Sequence, residues 1–298
     1  MRTLGIDLGG TKTALAVVDG AGSVLARSKR PSHEDGRALA LDALGNWAGD
    51  TLRSAGLAWS DVSGVGVIVP GLYEPRTGRA WAPNLWGQAE VALRDALAPH
   101  IQAPLTIDSD RSGYVLGEHW LGAARGASDA VFLAVGTGIG AGILSGGRLV
   151  RGAGGVAGAV GWLAIDPRWL PLFGEVGCFE AQAAGPALAR RGRAGTAEEV
   201  VEAARSGDAT ALHAVAETIE ALAMGIAGLI SVLNPEVVVL GGGVMQAHDL
   251  FLEPIRVAVQ RWAQPFAARQ CRIEPTSLGE DAGVLGAARL AFPESLTT

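Results

Sequence analysis

The stretch Leu4-Gly5-Ile6-Asp7-Leu8-Gly9-Gly10-Thr11-Lys12-Thr13-Ala14-Leu15-Ala16-Val17-Val18 decides how this chain is read. An apolar strand runs into Asp-x-Gly-Gly-Thr-Lys, and a second apolar strand follows at once. Glycine has no Cβ, so at Gly9 and Gly10 an anion can reach the backbone and meet successive N–H groups. Asp7, at the end of the first strand, is placed to hold Mg2+ through water, a common arrangement beside phosphates. The same residues also suit an ordinary hairpin with a Gly-Gly turn. This stretch alone leaves both readings open.

The stretch has a counterpart. Val131-Phe132-Leu133-Ala134-Val135-Gly136-Thr137-Gly138-Ile139-Gly140-Ala141-Gly142-Ile143-Leu144 again reads strand, Gly/Thr turn, strand. Two unrelated turns of this kind require a coincidence, so the repeat favours a pair of phosphate loops. Between and after them strands alternate with helices. Strands are expected at Leu4 to Asp7, Thr13 to Asp19, Ser23 to Arg27, Val65 to Val69, Leu105 to Asp108 and Val237 to Leu240. Helices are expected at Ala38 to Ala55, Gln88 to Ala98, after Ser109-Asp110, across Cys178 to Leu233 and from Asp249 to Trp262. The pattern is α/β, and in such folds ligands gather at the carboxyl ends of strands. Glu118 and His119, on the helix after Asp110, read as hinge or surface residues.

Composition narrows the partners. The 298 residues allow one large or two ordinary domains at roughly 100–200 residues each. A net charge of -6 supplies no excess of Lys and Arg to neutralise a nucleic-acid backbone, so a small-molecule partner is expected and no nucleic acid. Cys178 and Cys271 are the only cysteines, which excludes a disulfide framework or a Cys-rich metal site. The first strand starts within three residues of Met1, leaving no place for a signal peptide, and a cytoplasmic protein is expected. The apolar stretch Ala221 to Leu233 is shorter than the roughly 18–20 residues that span a bilayer, so it reads as a core helix, with no membrane partner.

Six motifs in order resemble the ROK family of repressors, open reading frames and sugar kinases. They are Asp7-x-Gly9-Gly10-Thr11-Lys12, Ala82-Pro83-Asn84-Leu85, Gly136-Thr137-Gly138-Ile139-Gly140, Gly177-Cys178-Phe179-Glu180, Leu240-Gly241-Gly242-Gly243 and Asp281-Ala282-Gly283-x-x-Gly286-Ala287. The resemblance implies the actin-like ATPase (ribonuclease H-like) fold, an α/β chain of two domains with a central cleft. The expected domains are 1–118, completed by a C-terminal helix over 285–298, and 119–284, with a hinge near Glu118 to Ala127.

The resemblance further implies an ATP- and Mg2+-dependent kinase acting on a sugar hydroxyl, usually that on C6, and a homodimer. Such a reaction asks the protein for positioning, charge neutralisation and one base. Asp110 matches the base, as the second residue of Ser109-Asp110 where the family has Asn-Asp. Its place near a helix start favours the ionised carboxylate, although the same place also suits a simple helix cap. Nucleotide contacts carry over to Asp7, Gly9, Gly10, Thr11, Lys12, Thr137, Gly138, Gly241, Gly242 and Gly243. Acceptor contacts fall on Gly71, Asn84, Ser109, Ala159, Trp162 and Glu180.

Beyond Ser109, Ala159 and Trp162 depart further from the family pattern. Where members read Ala-Gly-Glu-x-Gly-His, this chain has Ala157-Gly158-Ala159-Val160-Gly161-Trp162. The family's zinc motif falls on Pro171 to Glu180, with Trp162, Pro171 and Phe173 at three ligand positions and Cys178 alone retained. Structural zinc needs four N/S donors, so none is expected. Buried aromatic area, with Trp169 among it, is expected to hold the loop instead. The altered pocket suits either a modified sugar or a sugar-binding regulator without turnover and without a DNA-binding domain. Retention of Asp7, Thr11, Asp110, Thr137 and Glu180 favours the enzyme. A repressor of the family carries a helix-turn-helix ahead of the first phosphate loop, for which Asp7 leaves no space.

Overall fold

The computed structural model describes residues 1–34 and 37–292, in two compact units: residues 1–125, 151–156 and 280 onward, and residues 126–150 and 157–279. In the first unit five strands form one sheet in the order Leu105–Ser109, Gly64–Val69, Arg2–Leu8, Lys12–Asp19, Val24–Pro31. The interior strand Gly64–Val69 is buried at every position and lies parallel to both neighbours, as a continuous apolar run requires. Leu8 pairs antiparallel with Thr13, so residues 9–12 form the turn of a hairpin. Register sets Asp7 opposite Ile68 and Ser109 opposite Val69, which brings the ends of three strands to one sheet edge.

Two helices, Asp110–Leu121 and Asp281–Leu290, pack on this sheet and on each other. A Cβ on Gly286 would lie 1.7 Å from the Gly113 carbonyl oxygen, so the two helices meet backbone to backbone. Backbone cannot yield as a flexible side chain does, and Gly286→Ala is expected to destabilise the protein by about 3 kcal/mol or more. Thermal denaturation checks this: a Tm within about 2 °C of the parent would show that the helices can separate without cost.

The second unit repeats the plan with the order Arg148–Leu149, Ile139–Ser145, Ala130–Val135, Val237–Gly241, Arg272–Pro275. Val135 pairs with Ile139 across the turn 136–138, and Ala134 lies parallel to Gly241. The helix Ala209–Leu233 is capped by Asp208, whose Oδ1 accepts from Ala211 N at 2.8 Å. By length and composition it could cross a membrane, but it packs against the helices Gly185–Gly192, Ala197–Arg205 and His248–Trp262 with Leu222, Ile226 and Ile230 wholly buried.

Several elements differ from expectation. The helix foreseen at Gln88 to Ala98 is a two-residue strand followed by a short helix: Glu90–Val91 joins Leu72–Glu74 and Arg79–Trp81 in a three-stranded sheet before Leu93–Leu97 turns helical. Strands of two or three residues carry no readable period. The chain first passes to the second unit after Arg125, because the whole Asp110–Leu121 helix belongs to the first. Glu118 is fully buried there, its Oε2 accepting from Ala123 N at 2.7 Å, so it is neither a hinge nor a surface residue. The terminal helix begins at Asp281; of the expected span 285–298, residues 293–298 lie outside the described residues.

Candidate active site

The sheet edge of the first unit collects Asp7, Gly71, Ser109 and Asp110. Asp7 Oδ1 is wholly enclosed and has no hydrogen-bond partner among the described residues. A Cβ on Gly283 would stand 2.2 Å from Asp7 Oδ2, so the terminal helix presses its backbone against the carboxylate. Desolvation, with the charge of Asp110 added, raises the Asp7 pKa from 3.8 to about 7, against the pull of Lys12 and Lys29. A buried carboxylate oxygen without a donor is a place that a hydrated cation fits.

Asp110 opens its helix, with Ser109 as the N-cap residue and no side-chain cap bond from it. Asp110 Oδ1 accepts from Arg111 N at 2.8 Å. The helix start was expected to favour the charged form, yet desolvation outweighs it and raises the pKa to about 6, with the Arg111 charge opposing. Asp110 therefore remains mostly ionised at neutral pH but is a stronger base than an ordinary aspartate.

A polar frame that sequence reasoning missed holds this edge. Asp108 Oδ1 accepts from Ser109 N at 2.8 Å and from Ser112 Oγ at 3.0 Å, and its Oδ2 accepts from Arg151 Nε at 2.7 Å. Arg111 Nη2 donates to the Gly71 carbonyl at 3.3 Å. Gly71 itself has φ +89, and a Cβ there would meet the Trp81 carbonyl oxygen at 2.3 Å, so no other residue fits. Tyr114, one turn after Asp110, has its phenol pKa driven up by burial and by both carboxylates.

The first phosphate-loop candidate is braced by the buried Ser32. Its Oγ donates to the Gly9 carbonyl at 2.6 Å and its N–H to the Thr11 carbonyl at 2.9 Å. Thr11 is exposed, and Lys12 Nζ pairs with Glu280 Oε1 at 2.6 Å, while Lys29 Nζ takes Oε2 at 2.8 Å. Asn84, exposed on the short helix Pro83–Trp86, lies against Gly10, where a Cβ would come 3.0 Å from its own Cβ. No sequence signal distinguishes Ser32 or Glu280, because both act through folded proximity.

In the second unit the loop 136–138 is closed by Gly136 N donating to the Gly138 carbonyl at 3.0 Å. Glu180 packs beneath it: its Oε2 accepts from Ile139 N at 2.7 Å, and a Cβ on Gly138 would lie 2.7 Å from that oxygen. Desolvation raises the Glu180 pKa despite the Ile139 bond. Thr137 and Gly243 line a groove of about 360 Å3 with Gly185, Pro186, Thr196 and Val244. Gly241 and Gly242 are not among its lining residues. Gly242 has φ +92, and a Cβ there would meet the Val135 carbonyl oxygen at 2.4 Å.

The family model of the ROK family matches residues 3–294. The chain belongs to the ROK family. It is 32% identical over 305 residues to a glucokinase of Halalkalibacterium halodurans, covering 95% of this chain and 92% of that one. Among solved structures, a ROK hexokinase from Thermus thermophilus matches with a TM-score of 0.84 at 33% identity, covering 99% of each chain. A ROK glucokinase from Streptomyces griseus in complex with glucose and AMPPNP matches at 0.79 and 29%, covering 97% of this chain and 99% of that chain. The actin-like α/β fold expected from the motifs is therefore the fold of this ROK protein.

Residues 159 to 178 hold the positions where the family's acceptor and zinc motifs were expected to fall. Val160–Trp162 forms a single helical turn, and Trp162 is 58% exposed. Trp169 stands edge-on to Phe173 with ring centroids 6.2 Å apart, yet is 72% exposed. The expected burial of aromatic area thus holds only for Phe173, which joins Cys178 and Ala181 in a small buried cluster. Trp162 and Trp169 lie outside it. Among the described residues no three His, Cys, Asp or Glu side chains group as metal ligands.

Proposed function

We propose that this ROK protein is an ATP-dependent sugar kinase that phosphorylates a hexose or hexose derivative at the C6 hydroxyl. The observation that carries the proposal is the pairing of two dissimilar carboxylates at one sheet edge. Asp110, with a pKa near 6, takes the hydroxyl proton, being ionised about ten to one at pH 7 and basic enough to hold it. Asp7, with its enclosed and unpartnered oxygen, would hold Mg2+ through water. When bound, that ion neutralises phosphate charge.

The backbone of Gly9, Gly10 and Thr11, with Lys12, would bind phosphate in the first unit. Thr137, Gly138 and Gly241 to Gly243 would bind the nucleotide in the second. Asn84, Gly71, Ser109 and Glu180 would contact the acceptor. Ala159 offers no carboxylate and Trp162 offers an exposed ring face, which suits a substituted sugar over plain glucose. A donor made in the cytoplasm supports a cytoplasmic location. A homodimer is supported by an apolar face of the second unit, where Val232, Trp262 and Phe266 are exposed beside a groove lined by Ile165, Met224 and Ala227.

An ADP-release screen over hexoses, amino sugars and their derivatives tests the reading. At least one sugar is expected to raise release about a hundredfold or more above the sugar-free rate. Sugar binding without release across the panel would favour the regulator reading. Metal analysis is expected to find far less than one zinc per chain in protein purified without added zinc. Stoichiometric zinc would overturn the reading of Trp162, Pro171 and Phe173.

A further inference from the structure

From Thr137 outward, the groove of the second unit is walled by Pro186, Ala189, Ala197 and Val244, and its one charged lining residue is Glu198. It continues past Glu198 and Val244 into a second recess of about 260 Å3 that adds Glu202, Arg205 and Gln246. Arg205 is the one cation among the described residues that line the two recesses, and its guanidinium is occupied. Nε and Nη2 donate to the Asp249 carboxylate at 3.0 and 2.8 Å, and Nη1 donates to Glu202. The start of the Ala197–Arg205 helix also disfavours a further anion. The Thr196 side chain accepts from Glu199 N, and Glu198 and Glu199 lie in the first turn.

We propose that this groove selects a nucleoside triphosphate as phosphoryl donor and rejects inorganic polyphosphate, with Glu198 and Glu202 as the rejecting residues. The inference rests on the kinase reading above and specifies its donor. The two donors present the same terminal phosphates to the glycine loop and differ in what lies behind them. A nucleoside is uncharged and largely flat, and small apolar walls beside a few polar groups suit it. A polyphosphate chain instead carries further negative charge past two carboxylates, with no free guanidinium or ammonium along the wall to pair with it. Repulsion of the wrong ligand is an efficient route to selectivity, because it costs the correct ligand little.

Titration calorimetry without sugar tests this, using Mg-AMPPNP and Mg-polyphosphate as ligands. The parent protein is expected to bind the nucleotide at least about thirtyfold more tightly than polyphosphate at 0.1 M salt. The double variant Glu198→Lys/Glu202→Lys should narrow that ratio about tenfold, and about 1 M salt should erase the gain, since exposed charges are then screened. Both side chains are exposed, so folding is expected to survive; Glu198→Gln provides a milder second variant that should shift the ratio in the same direction. Equal affinity of the parent for both ligands, or a ratio unmoved in both variants, would overturn the proposal. Sugar is absent from these titrations, so the kinase reading can fail in the ADP-release screen while donor selectivity stands, and the reverse. Failure of the nucleotide to bind would overturn both.

Discussion

Asp110→Asn is expected to lower kcat by about three orders of magnitude while leaving nucleotide affinity within about threefold. The amide keeps the shape of the side chain and its place at the start of the helix but cannot accept the hydroxyl proton. The pH dependence of the parent gives an independent check. Desolvation holds the Asp110 pKa near 6, above the ordinary 3.8, so the working, ionised form is lost as pH falls through 6. At pH 5 the base is about one-tenth ionised, and kcat/KM should fall by about that factor from its neutral plateau. An ordinary aspartate would instead hold its plateau down to about pH 4. Parent-like turnover in the Asn variant would remove Asp110 from the chemistry. An acid limb near pH 4 would leave it as base but show that ligands restore its solvation.

Legibility from sequence followed the range of the interactions involved. The hairpins at 9–12 and 136–138 depend on local strand and glycine patterns, and both were readable. The alignment of Asp7 with Ser109 needed only three parallel strands with their carboxyl ends together, which alternation of strands and helices implies. The ionised state of Asp110 at neutral pH was legible but its raised pKa was not, because the helix start is written locally, whereas the stronger desolvation comes from the folded surroundings. Trp162 and Trp169 were expected to bury aromatic area where the family's zinc motif falls, but their exposure depends on how much apolar surface a loop meets after folding. Ser32, Arg151 and Glu280 carried no signal at all. Each reaches its partner across 23 residues or more, from Gly9, Asp108 or Lys12.

Asp7→Asn is expected to stabilise the metal-free protein above neutral pH while lowering turnover by about two orders of magnitude or more. Below pH 3.8 the Asp7 carboxyl is protonated in both the folded and unfolded chain and affects neither. Between 3.8 and about 7 the unfolded chain releases the proton while the folded chain keeps it, so each rise in pH favours unfolding. Above about pH 7 the folded protein carries an ionised carboxylate whose Oδ1 has no donor among the described residues, and the penalty is complete. A displacement from 3.8 to about 7 is equivalent to about 4 kcal/mol at most. Solvent reaches part of Asp7, so roughly 2–3 kcal/mol is expected, seen as a higher Tm for the Asn variant at pH 8 and little difference near pH 4. Mg2+ should close the gap at pH 8 by raising the Tm of the parent and leaving that of the variant unchanged, because only the parent offers the ion a carboxylate. A variant less stable than the parent at pH 8 would show that Asp7 has a partner when folded. A Tm indifferent to Mg2+ in both proteins would place the ion elsewhere.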